Sequence, residues 1–151
     1  MRYYHRQIGT VVVIGLTTSI AFLVSMLTLK GDTALIVPLA SALVLIGVLF
    51  FSLTIQIDKG ELKFWFGVGL IRKRIALTKI ASCKVTTSSI LYGWGIHLTL
   101  RGWLYNVSGF NAVEINLKDG KRFLLGSDEP HELCAALEKE INSSVKGKEL
   151  R

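Results

Sequence analysis

Two groups of side chains in this sequence have the types and spacing for recognition chemistry. The first is Tyr92, Trp94, Arg101, Trp103 and Tyr105, interleaved with Gly93, Gly95, Gly102 and Gly109. Tyrosine and tryptophan offer large contact areas with a polar handle. Glycine lets another chain approach the backbone closely, and Arg101 is spaced to stack on one of the rings. That composition suits a surface that captures a protein or peptide partner. It also suits two blander roles: Trp94 and Trp103 as plugs of a core, or as aromatic anchors at a bilayer interface. The second group is Lys63, Arg72, Lys73 and Arg74, within a basic stretch that includes Lys59, Lys79 and Lys84. Beside an anionic bilayer each such residue contributes about 1 kcal/mol. On a solvated sheet face the same residues only carry charge.

Patterns for catalysis are not found. Gly67-Val68-Gly69 lacks the third glycine and following helix of a dinucleotide loop. Ser108-Gly109 lacks the glycine two residues before the serine that a nucleophile elbow needs. His97 falls on an expected strand, and His131 stands at an exposed helix start with Glu129 and Glu132. Cys83 and Cys134 have no metal-ligand spacing. They read as small buried apolar residues in a reducing compartment rather than as a disulfide. The expectation is a binding protein with no catalytic residues, no cofactor and no metal. The basic stretch has neither the interleaved aromatics of a single-strand binder nor a helix suited to a groove, so nucleic acid is not an expected partner.

The positioning elements begin with two apolar runs. Ile8 to Leu29 and Thr33 to Gln56 contain no Asp, Glu, Lys, Arg or His. Each is roughly the 20 residues a helix needs to cross a hydrocarbon core. The expectation is a two-helix transmembrane hairpin over residues 1–53, with spans at about 8–29 and 34–53. Lys30, Gly31 and Asp32 form its turn. The first run is longer than a signal-peptide core and is followed at once by another, so it reads as a retained helix. Gly15 and Ser19 lie on one face of it, where small residues permit close packing within the hairpin or between copies. Arg2 and Arg6 flank the first span, and Lys59, Lys63, Arg72, Lys73 and Arg74 follow the second. Basic residues collect on the cytoplasmic side, so both termini are expected there. The formal net charge of +7 fits this bias or an anionic-lipid partner. On that side the sequons Asn106-Val107-Ser108 and Asn142-Ser143-Ser144 carry no meaning.

With almost no linker, residues 54–142 read as short strands closed by one helix. Leu53 to Ile57, Leu62 to Phe66 and Ile71 to Leu77 alternate apolar and polar residues, as half-buried strands do. Ser82 to Thr87, Trp94 to Leu100, Val113 to Leu117 and Lys121 to Leu125 follow. Asp119-Gly120 marks a hairpin turn, and Arg101 to Asn111 stays ambiguous. Pro130 opens a helix whose Leu133, Leu137 and Ile141 recur every four residues. Residues 143–151 form a polar tail.

Seven strands and a closing helix form the plan of a pleckstrin-homology-like (PH-like) barrel. The segments Tyr92-Gly93-Trp94-Gly95-Ile96, Arg101-Gly102-Trp103-Leu104-Tyr105-Asn106-Val107-Ser108-Gly109 and Ala112-Val113-Glu114-Ile115 resemble the bacterial PH-like domains attached to membrane helices. The resemblance covers about residues 53–142. It implies a helix-capped seven-stranded barrel at the bacterial inner (cytoplasmic) membrane that binds a protein or peptide or associates with the membrane surface. It does not bring phosphoinositide binding with it, because Lys63, Arg72 and Arg74 flank the second turn rather than the first. The expected function is therefore a multi-pass, membrane-anchored cytoplasmic adaptor that recognises a protein or peptide partner, another membrane protein among the candidates. The alternative is a domain that docks on anionic membrane lipids.

Overall fold

The computed structural model describes residues 3–30, 34–89 and 92–149. The hairpin turn at Gly31 and Asp32 and the flanking Arg2 lie outside them. Strand β1 (Tyr3–Ile8) leads through Gly9 into helix α1 (Thr10–Lys30), and α2 (Ile36–Phe50) returns directly into β2 (Ser52–Asp58). Then come β3 (Glu61–Phe66), β4 (Arg72–Ala76), a 3₁₀ turn (Leu77–Lys79), β5 (Ile80–Thr87), β6 (Gly95–Thr99), β7 (Gly102–Asn106), β8 (Asn111–Leu117), β9 (Arg122–Gly126) and α3 (Pro130–Glu149).

The strands form two sheets, one ordered β1-β2-β3-β4 and the other β5-β8-β9-β7-β6. In the first, every pair is antiparallel, and β1 pairs with β2 from Tyr3 opposite Ile57 to Ile8 opposite Ser52. The two apolar helices are thus inserted between neighbouring strands of one sheet. In the second sheet β9 slots between β8 and β7, antiparallel to β8 and parallel to β7. The expected barrel is corrected on two points. The described strands number nine because Tyr3–Ile8 and Gly102–Asn106 are strands too. The sheets do not close into a barrel, since β4 and β6 end their sheets without pairing with each other.

Alternation explains the packing. Leu53, Ile55 and Ile57 of β2 and Leu62, Phe64 and Phe66 of β3 turn to one side and are buried. They meet Val113 and Ile115 of β8 and Phe123 and Leu125 of β9 in one core. Helix α3 closes one side of it with Leu133 and Leu137, while Ile141 is partly buried. Its start is held by the Ser127 hydroxyl, which accepts the Glu129 N–H at 3.1 Å. The helix continues to Glu149, beyond the expected end at Asn142. Cys83 and Cys134 also depart from expectation: they are joined as a disulfide, Cα atoms 5.9 Å apart, which fastens α3 to β5.

Helix α1 is long and apolar enough to cross a membrane, and none of that stretch is buried within the protein. Helix α2 is a shorter apolar helix of 15 residues. It ends before the expected span does because Ser52 already belongs to β2. The helices run antiparallel, with Leu16 packed where a side chain at Gly47 would stand. Gly15 faces open space, so it does not form the contact between them. Hydroxyls along the helices donate back to their own backbone: Thr18 to Ile14 at 2.9 Å, Ser19 to Gly15 at 2.8 Å and Ser41 to Val37 at 2.9 Å. Such internal pairing satisfies polar groups where water is absent.

The junction between helices and domain is tight. The Gly9 N–H donates to the Phe51 carbonyl at 2.8 Å, and the Gly67 N–H donates to the Ser52 carbonyl at 2.8 Å. Gly67 has φ +46°, and a side chain there would run into the Val48 and Leu49 carbonyls of α2. Only glycine lets the β3–β4 turn rest against the helix end.

Candidate functional site

The inner face of the second sheet is wider than the first sheet that covers it. Cross-strand register puts Ile96 beside Tyr105 and Leu98 beside Trp103, with Trp103 beside Phe123 and Tyr105 beside Leu125. Burial declines along this row. Leu125 and Phe123 are in the core, Tyr105 is half-buried, and Trp103 and Leu98 are 47% and 68% exposed. The uncovered part forms a cleft of about 430 Å³ between β4 and the β6–β7 pair. Phe64, Phe66 and Ile71 line one wall; Ile96, Trp103 and Tyr105 line the other.

Strand β4 gives the cleft its charge. Its inner face is set by register, since Ile75 stands opposite Leu62 and Lys73 opposite Phe64. Ile75 is buried, but two residues on the same face is the exposed Lys73. An ammonium at an inward position is tolerated because the sheets part there and its head reaches water. Its Nζ stands 5.1 Å from the Tyr105 ring centroid and 5.5 Å from that of Phe123. It also donates to the Tyr105 hydroxyl at 3.0 Å. Tyr105 in turn packs edge-on against Phe64 at 5.0 Å and against Phe123 at 6.1 Å. The cleft floor is therefore a cluster of rings with a cation at its mouth.

This geometry divides the two residue groups singled out in the sequence. Trp103 and Tyr105 face the cleft. Tyr92 and Arg101 lie across the sheet, on its outer face. There Tyr92 packs on the small apolar cluster of Leu104, Ala112 and Leu124, and the Arg101 guanidinium donates to the Thr86 hydroxyl at 3.0 Å. Trp94 stands at the sheet end beside the Phe110 ring, 6.0 Å away. Of the basic group, Lys73 points into the cleft. Lys63, Arg72 and Arg74 occupy the opposite face of β3 and β4, with Trp65 between them in register. Lys63 pairs there with Glu61 at 3.1 Å. Arg6, from β1, joins the same face through the β1–β2–β3 register and stands 5.2 Å from the Phe51 ring centroid.

A second seam lies between β1 and the start of α3. The His5 ring nitrogens face Asp128 at 2.5 Å and Glu129 at 3.0 Å. Burial pushes the neighbouring Tyr3 phenol up to about 12, with the carboxylates of Glu129 and Glu132 adding to the shift. Sequence reasoning missed this seam because it assigned Tyr3–Ile8 no strand.

One grouping among the described residues brings three metal-type ligand atoms together: Cys83, Cys134 and Glu138, all within 4.8 Å. The two sulfurs are bonded to each other, and a disulfide sulfur is not the thiolate that binds metal. The cleft is lined by rings, aliphatic chains and the cations Arg72 and Lys73. Such a surface holds a ligand by apolar contact, ring stacking and charge.

No family model matches the chain, and neither a curated protein nor a solved structure shows significant similarity to it.

Proposed function

We propose that this chain is a membrane-anchored binding domain whose inter-sheet cleft takes an extended, acidic segment of a protein partner. The observation that carries this reading is Lys73 at an inward position, over the Tyr105 ring, in an apolar cleft flanked by two unpaired strand edges. An edge strand offers main-chain donors and acceptors to an added strand, and pockets for alternate side chains give selectivity. Lys73 at the mouth complements acidic side chains.

Anchoring is supported by the uncovered apolar surface of α1 and α2 and by their internally paired hydroxyls. An exposed apolar surface of this extent is not sustained in water. Both helices join the domain at one end, so the hairpin leaves and re-enters on the domain's side. The basic residues Arg6, Lys63, Arg72 and Arg74 near that end favour the cytoplasmic face of a bacterial inner membrane, whereas the Cys83–Cys134 disulfide weighs toward an oxidising compartment. The PH-like resemblance belongs to this proposal as well. A sandwich followed by a helix supports it, whereas the parallel β7–β9 pair and the open seam depart from a seven-stranded barrel. Binding without catalysis is the corresponding expectation.

The test is a photoreactive side chain at Ile96 in the full chain, in native membranes, with a second at Thr86 on the outer face. A protein adduct at Ile96, absent at Thr86 and lost on Lys73→Glu, is expected. Lipid adducts alone at Ile96 would assign the cleft to lipid, and a protein adduct insensitive to Lys73→Glu would remove the acidic-segment requirement.

A further inference from the structure

The β3–β4 turn sits at the same level as the helix end. Gly67 rests on the carbonyls of Val48 and Leu49, within the last turn of α2. The turn is well ordered by its own bonds: the Phe66 N–H donates to Ile71 at 2.9 Å, and the Gly69 N–H donates to Phe66 at 2.7 Å. Yet its two large side chains face outward, Val68 61% and Leu70 75% exposed. In water that exposure has no compensation. Beside a helix whose Val44, Ile46 and Val48 are also exposed, it extends one apolar surface from helix to turn.

Behind the turn, the outer face of the first sheet changes character in register. The first row holds Arg6, Thr54, Trp65 and Arg72, and the next holds Tyr4, Gln56, Lys63 and Arg74. Successive rows on one face are about 7 Å apart, so the first row falls within the headgroup zone when the helix end lies at the hydrocarbon boundary, and the second lies just beyond it, within reach of long basic side chains. Trp65 covers Gly69, its Cδ1 3.6 Å from where a side chain there would begin. Tryptophan flanked by cations is the usual makeup of an interfacial belt.

We propose that the turn Gly67–Leu70 is a second membrane contact: Val68 and Leu70 enter the bilayer that holds the helices, and Arg6, Lys63, Arg72 and Arg74 take the phosphates of its anionic lipids. The surface commits to the chain's own bilayer because it is continuous with the helix surface and carries the complementary charge. The inference rests on the anchoring part of the proposed function and is independent of the cleft's partner. Its consequence is orientation: three points of entry, α1, α2 and the turn, fix the domain's tilt and hold the cleft at a constant height above the membrane.

The test uses the full chain in phosphatidylcholine vesicles with and without phosphatidylglycerol. A photoreactive side chain is placed in turn at Val44, Leu70 and Leu100, the last being 91% exposed on the β6–β7 turn. Lipid adducts are expected at Val44 and Leu70 and not at Leu100. Phosphatidylglycerol should raise the Leu70 yield several-fold, and the double variant Arg72→Glu, Arg74→Glu should abolish that rise. Adducts at Val44 without any at Leu70 would overturn the second contact and leave the anchor intact. No adduct at Val44 would overturn the anchor itself. Equal yields at Leu70 and Leu100, or indifference to phosphatidylglycerol, would reject the assigned surface.

Discussion

Lys73 lies over the ring of Tyr105 and donates to its hydroxyl at 3.0 Å, and the contact joins β4 to β7 where no backbone bond links the two sheets. It is a side-chain clasp on an open seam. Its two members do unequal work. The ammonium reaches water, whereas the ring belongs to the Phe64–Phe123 cluster.

Truncation should separate those roles. Lys73→Ala is expected to lower stability by only about 0.5–1 kcal/mol, the range of an exposed cation–ring contact. Tyr105→Ala should cost about 3 kcal/mol or more, because it leaves a hole among packed rings. Denaturant titration of the full chain in detergent reads both. Equal losses would mean that the clasp, rather than the cluster, holds the seam.

The junction with the helices sets a sharper demand. Gly67→Ala combines a left-handed backbone with a collision against two helix carbonyls, and a loss of roughly 2–4 kcal/mol is expected. Gly120→Ala is the control: its φ is +82°, but the space around it is open, so about 1 kcal/mol should be lost. If both variants behave alike in thermal unfolding, the turn does not bear on α2.

Reduction should weaken the attachment of α3. The disulfide spans a sequence separation of 51, and a loop of that size stabilises by up to about 4 kcal/mol in the chain-entropy account. Dithiothreitol is expected to lower the unfolding midpoint of the intact protein. The double variant Cys83→Ser, Cys134→Ser should start from the lower midpoint and ignore the reductant. A midpoint unchanged by reduction would show that packing of Leu133 and Leu137 suffices.

The seam at β1 predicts a response to alkali. The Tyr3 phenol is raised to about 12 in the folded protein by burial and nearby carboxylates, against an unfolded value near 10. The folded state therefore holds this proton more tightly than the unfolded state. Stability from this group is complete below about pH 10 and falls as pH rises toward 12. Tyr3→Phe should flatten that part of the profile, measured by denaturant titration at pH 9, 10 and 11. A profile with the same slope in both proteins would assign the alkaline loss to other groups.

The central strands were legible because each shows one apolar face. Leu53, Ile55 and Ile57, then Leu62, Phe64 and Phe66, repeat every second residue and are buried as that spacing requires. Strand β7 hid because it is apolar on both faces: Trp103 and Tyr105 turn to the cleft and Leu104 to the outer cluster. Strand β1 hid because its partner lies beyond both helices, and no local pattern reports a pairing at that distance. The end of α2 was misplaced because hydropathy alone does not distinguish a lipid-facing helix from the buried strand after it. Spacing was equally silent on Cys83 and Cys134, which only the docking of α3 brings together. The cleft did leave one trace. In Ile71, Lys73 and Ile75 the inward alternation carries a lysine at its centre, the mark of a sheet that opens to water there.

The pairing of β1 with β2 also imposes an order in time on the chain's manufacture. Tyr3–Ile8 leaves the ribosome before its partner Ser52–Asp58, which appears only after both helices have been made. In the proposed setting, β1 cannot meet β2 until the hairpin has settled in lipid and returned its two ends to the same side. Insertion thus precedes completion of the first sheet as a matter of connectivity. A chain whose hairpin goes astray keeps β1 from its partner, and the unpaired strand marks a product that was never completed.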